Sequence, residues 1–79
     1  MTGTVKWFSA RSGSGFITSE DVDYFAHVTW IVRVPGQKRS LHPGDQVSFN
    51  PTSPERGSAA PCAKNILILK RALVDPMDL

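Results

Sequence analysis

Ser14, Asp23 and His27 supply the hydroxyl, carboxylate and imidazole of a nucleophilic hydrolase, and Ser12-Gly13-Ser14-Gly15 has the small-residue density of a phosphate-cradling loop. Neither chemistry fits the spacing. Asp23 and His27 stand four residues apart in what reads as one extended run, too far for the direct hydrogen bond of a triad, and no oxyanion donors are suggested beside them. The glycine loop lacks both the Lys-Ser/Thr pair and the following helix that would hold a phosphate. His27 and His42 are the only histidines, at no ligand spacing, and Cys62 is the single cysteine, so neither a metal nor an internal disulfide is expected. The expectation is a protein with no catalytic residue, no metal and no cofactor.

Aromatic residues are the chemistry that remains. Trp7 and Phe8, then Phe16, then Phe25 with His27, then Trp30 fall in or beside short β-rich runs. Alternation assigns their faces. With Ile17, Ala26 and Val47 taken as core, Phe16, Phe25 and His27 point to solvent, and rings on the wet side of adjacent strands need an explanation. In the first run an inward Val5 sends Lys6 and Phe8 outward and Trp7 inward. Exposing Trp7 together with Phe8 therefore requires a bend or bulge near the strand's end. Every nucleobase has a π-face, so open rings accept unpaired bases at about 1–3 kcal/mol each, and a duplex hides those faces. Lys6, Arg11 and Arg56 lie in or beside loops bordering the rings, where they can meet phosphates.

The elements that must position these groups are strands. Thr4–Phe8, Gly15–Thr18, Asp23–Val28, Val47–Phe49 and Ala63–Leu69 are short, rich in β-branched or aromatic residues, and bounded by turn residues. No uninterrupted stretch carries helical spacing. One helical turn at Thr29-Trp30-Ile31 is expected in the long connection from Thr29 to Gln46, and a Pro/Ser/Gly-rich loop over residues 51–61. Ile66 and Ile68 read as inward, Leu67 and Leu69 as exposed. Five such strands in 79 residues predict one all-β domain, a small five-stranded antiparallel barrel.

Composition agrees without deciding. An apolar share of 41% suits a globular chain, and the longest apolar run, Ile66–Leu69, is far too short to span a membrane. Residues 1–71 hold all nine bases and five of the seven acids, a balance of +4, while the last eight residues carry Asp75 and Asp78 and no base. A mildly basic body tolerates an anionic partner. One cysteine and no basic-then-apolar opening segment lead to the expectation of a cytoplasmic protein.

Gly3-Thr4-Val5-Lys6-Trp7-Phe8, Ser12-Gly13-Ser14-Gly15-Phe16-Ile17 and Asp23-Tyr24-Phe25-Ala26-His27 together resemble the cold-shock domain family, which pairs a K-W-F strand with the motifs K-G-x-G-F-I and V-F-V-H-F. Ser40-Leu41, Gly44-Asp45-Gln46-Val47-Ser48-Phe49 and Pro61-Cys62-Ala63-Lys64-Asn65-Ile66 extend the similarity in order and spacing. The resemblance implies an oligonucleotide-binding (OB) fold over residues 1–69 with a tail at 70–79. It also implies binding of single-stranded RNA and DNA through Lys6, Trp7, Phe8, Phe16, Phe25 and His27, with Arg56 as a basic residue of the last loop. The function it implies is that of a nucleic-acid chaperone. Ser14 stands where the family is usually aromatic, Val28 replaces a frequent contact, and Ser12 stands where Lys is common, with Arg11 beside it. Trp30, unusual at its place, can stand in for a lost ring. A protein-interaction barrel and a regulator of duplex DNA are the alternatives. Leu67 and Leu69, with Leu73, Val74, Met77 and Leu79 of the tail, also allow a swapped homodimer beside the monomer.

Overall fold

Turn chemistry divides the chain into five strands. In a computed structural model, which describes residues 1–36, 39–54 and 59–71, they are β1 (Thr2–Ser9), β2 (Ser14–Ser19), β3 (Val22–His27), β4 (Gln46–Thr52) and β5 (Cys62–Lys70). A single 3-10 turn, Val28–Trp30, follows β3 directly. Glu20 and Asp21, both at positive φ (50° and 67°), make the two-residue connection of the β2–β3 hairpin, a geometry whose twist matches that of the strands it joins. β4 runs on through Pro51 to Thr52 instead of stopping at Phe49, with Pro51 opposite Ala63 of β5. A proline is tolerated there because β1 pairs with β4 only over Gln46–Ser48, so no ladder bond is asked of its nitrogen.

The strands close into a barrel in the order β1-β2-β3-β5-β4. Four of the five seams are antiparallel, but β3 meets β5 in parallel, through Phe25 opposite Cys62 and the amide of Phe25 donating to the Pro61 carbonyl at 2.7 Å. The expectation of a purely antiparallel barrel is corrected here, and the reason is parity. Strand direction must alternate across every antiparallel seam, and a closed ring with an odd number of strands cannot alternate all the way round. The parallel seam continues past β3 with Ile31 beside Ile66 and the amide of Val32 donating to the Ile66 carbonyl at 2.7 Å.

Inside lie Val5, Ile17, Tyr24, Ala26, Ile31, Leu41, Val47, Phe49, Ala63 and Ile66, with the Tyr24 and Phe49 rings 4.9 Å apart. Leu67 and Leu69 face out, 38% and 54% exposed, and Ile68 packs against the core, as alternation predicts. One carboxylate is enclosed as well. Asp45, in the turn before β4, has its side chain 1% exposed and receives the Arg71 guanidinium at 3.0 Å and the His42 amide at 3.0 Å on Oδ2. Arg71 also donates to the Ser40 carbonyl at 3.1 Å. A buried carboxylate persists only when compensated, so the residue just beyond β5 fastens that strand to the loop preceding β4.

Candidate nucleic-acid interface

Cross-strand pairing between β2 and β3 lays the outer face down in rows. Thr18 sits opposite Asp23, Phe16 opposite Phe25, and Ser14 opposite His27, while Ile17 with Tyr24 and Gly15 with Ala26 face the core. Phe16 and Phe25, predicted outward, are thus side by side, with ring centroids 5.7 Å apart.

A bulge in β1 brings Trp7 to them. Val5 pairs with Ile17 and Trp7 with Phe16, so two β1 steps oppose one of β2 and Lys6 is the extra residue. On its other side Val5 donates to the Asp45 carbonyl and accepts from the Gly44 amide, each at 2.9 Å. Trp7 is consequently 45% exposed, its ring 5.6 Å from Phe16. The same bulge turns Phe8 inward, correcting its expected exposure. Phe8 lies opposite Gly15, half-buried against the core, and outside the row of rings.

Trp30, half-buried and packed in part against the core, extends the row from the 3-10 turn, with its ring 5.7 Å from both Phe25 and His27. Rings therefore run without a gap from Trp7 through Phe16 and Phe25 to Trp30 and His27. Val28 does not take part: it packs against the core, and its amide donates to the Gly13 carbonyl at 2.8 Å. The Thr29 amide donates to His27 Nδ1 at 3.2 Å. The Thr29 hydroxyl lies 2.9 Å from the same nitrogen.

The polar groups around the rings are partly committed. Lys6 Nζ sits 2.8 Å from Asp23 Oδ2, and the Thr18 hydroxyl donates to Oδ1 at 2.8 Å. The Lys6 hydrogen bond, followed by that from Thr18, holds the Asp23 carboxyl below its usual range. The pairing is therefore present at neutral pH, above the unfolded value of about 3.9, and is lost only as acid carries the pH down through the depressed folded value. Ser14 shares a 2.9 Å hydrogen bond with Ser12. Ser14, His27 and Asp23 thus belong to three separate hydrogen-bonded groups and form no relay. Arg11 is exposed in the β1–β2 turn, and Arg56 lies outside the described residues.

Lys64 is the residue that sequence reasoning missed. Its ammonium lies 4.4 Å from the Trp30 ring centroid. Strict alternation back from Ile68 and Ile66 would bury it. Asn65 instead takes a left-handed conformation (φ 51°) where the β4–β5 register slips, so Ala63 and Ile66 are both buried and Lys64 turns outward. The available signal was Asn65 itself, one of the few residue types that adopts this conformation readily inside a strand.

Since Asp23 occupies Lys6, Asp23→Asn is expected to raise affinity for a single-stranded oligonucleotide several-fold at low salt. The slope of log affinity against log salt should steepen by up to about 0.7, the increment for one more neutralised phosphate. Unchanged affinity and slope in a salt titration would show that Asp23 does not withhold Lys6 from phosphate.

Comparison with known proteins gives one consistent result. The family model described as 'Cold-shock' DNA-binding domain matches residues 1–67. The cold shock-like protein CspG of Escherichia coli (strain K12) is 42% identical over 71 residues, covering 87% of this chain and 94% of that protein. The cold shock-like protein of Aquifex aeolicus is 45% identical over 69 residues, covering 85% and 91%. Y-box-binding protein 1 of Xenopus laevis is 42% identical over 64 residues, 76% of this chain but 21% of that longer protein.

Proposed function

This chain belongs to the 'Cold-shock' DNA-binding domain family, and from that membership we propose that it binds single-stranded RNA and DNA by stacking unpaired bases on Trp7, Phe16 and Phe25, with His27 and Trp30 at the end of the row. The observation that carries this reading is the unbroken line of rings on the outer face, Trp7 exposed and Phe16, Phe25, His27 and Trp30 half-buried, across β1, β2, β3 and the turn that follows. Lys6 and Arg11 border it as phosphate contacts, and Arg56 is assigned the same role from its place in the sequence. Phe8, half-buried opposite Gly15, supports the strand that carries Trp7 and borders the row from within.

Binding only exposed bases shifts hairpins toward their melted form by mass action, which makes the protein a nucleic-acid chaperone that needs no chemical step. Binding resides in residues 1–69 in this reading, with 70–79 as a tail whose first two residues close β5 and hold Asp45. No helix among the described residues is long and apolar enough to cross a membrane, and we assign the protein to the cytoplasm, where single-stranded RNA is abundant.

The family's description names DNA without its strandedness, so the decisive comparison is a gel shift of one oligonucleotide alone and annealed to its complement. The single strand is expected to bind tightly and the duplex weakly. Preference for the duplex would replace stacking with groove recognition, and binding to neither would favour a protein-interaction barrel.

A further inference from the structure

The ring row does not end on the β2–β3 hairpin. Trp30 stands beyond β3, and the next group in the same direction is Lys64 of β5, on the far side of the parallel seam. Resting on the base-stacking reading above, we infer that Trp30 and Lys64 form an additional nucleotide subsite across the β3–β5 seam, with one base on the indole and its phosphate on the ammonium.

Three independent features converge on this pair. Trp30 is in contact distance of both Phe25 and His27, so a strand laid over Phe16 and Phe25 meets the indole next. The neighbouring corner carries one ring, His27, and no second, since Ser14 and Val28 have none. Lys64 reaches the indole only through the left-handed Asn65, and bulges that re-aim a side chain in this way gather at functional surfaces.

An ammonium on an indole is also a plain stabilising contact. At a partly exposed site, however, it is weaker than stacking a base on the same ring. An arriving base therefore displaces the ammonium from the ring. The four-carbon stem of Lys64 lets it move aside to the phosphate of that nucleotide without moving the strand. The bound length of nucleic acid is then set across the barrel's parallel seam, not at the edge of the β2–β3 hairpin.

Trp7 and Trp30 are the only tryptophans, so a Trp7→Phe protein keeps a ring at the first position and leaves Trp30 as the sole indole. It is titrated with a dye-labelled oligothymidine of about eight nucleotides, within the span one OB-type barrel covers. Binding is followed both by anisotropy of the dye and by indole emission. Trp30 emission should quench and saturate together with the anisotropy. Lys64→Gln in the wild-type background should weaken binding several-fold at low salt and make the log–log salt slope shallower by about 0.7. Binding seen by anisotropy with Trp30 emission unmoved, or Lys64→Gln with affinity and slope both unchanged, overturns the subsite and leaves the wider reading standing. No anisotropy change with the wild-type protein removes the base-stacking reading, and the subsite with it.

Discussion

Replacing Phe16 and Phe25 together with leucine is expected to weaken binding of a single-stranded oligonucleotide by roughly 30-fold to more than ten-thousand-fold, the loss of two stacked bases at about 1–3 kcal/mol each. These rings are the middle of the row: Phe16 touches Trp7 and Phe25, and Phe25 touches Trp30. The Lys6–Asp23 pair beside them is exposed on both sides, and an exposed pair is worth only about 0–1 kcal/mol. That pair therefore does not hold the rings in place. Folding should change little, because Ile17, Ala26 and Tyr24 fill the core from the opposite face and leucine keeps an apolar body on each strand. Anisotropy of a labelled oligothymidine measures the binding and a thermal melt measures the fold. A double variant that melts normally and binds within about threefold of wild type would mean that bases do not sit on these rings.

Gly15→Ala is expected to lower the melting temperature by roughly 5–25 °C and to weaken binding at the temperature where wild type is saturated. Gly15 faces inward beneath the two bulge-shifted residues of β1. A β-carbon there would stand 2.6 Å from Phe8 Cα and 2.9 Å from Phe8 Cδ1, and would press on the Trp7 carbonyl oxygen. Two of those three atoms are backbone, so relief requires β1 to separate from β2. Overpacking of this kind costs about 1–3 kcal/mol or more, against a total stability of about 4–12 kcal/mol for a chain of this length. Each kcal/mol shifts the midpoint by about 4–8 °C in so small a domain. Separating the two strands also removes Trp7 from Phe16, so the binding surface fails with the fold. Gly36→Ala is the control. It meets nothing within 4 Å and is opposed only by its φ of +82°, which costs about 1–2 kcal/mol. A Gly15→Ala melt no lower than that of Gly36→Ala would show that β1 and β2 are not held this close.

Much of this architecture is legible in the residues themselves. Strands two and three alternate cleanly, Gly15-Phe16-Ile17 against Tyr24-Phe25-Ala26, and a period of two leaves no freedom about which side chains share a face once Ile17 and Ala26 are buried. The same rule placed Ile66 inward and Leu67 and Leu69 outward. It misled wherever the chain departed from that period. Phe8 reads as exposed and is half-buried, because Lys6 is the extra residue of a bulge and every side chain after it changes sides. Lys64, which alternation back from Ile66 would bury, stands over Trp30, because Asn65 does the same to β5.

Local patterning in the sequence thus determined the strand count, the inward and outward sets on the β2–β3 hairpin, and the aromatic character of its wet face. Tertiary structure alone decided three things: that β3 and β5 run parallel, that Trp7 joins Phe16, and that Lys64 meets Trp30. The first follows from closing a ring of five strands, which no single strand can report. The other two follow from register shifts, at Lys6 in β1 and at the left-handed Asn65 in β5, each of which changes the face of the residues beside it.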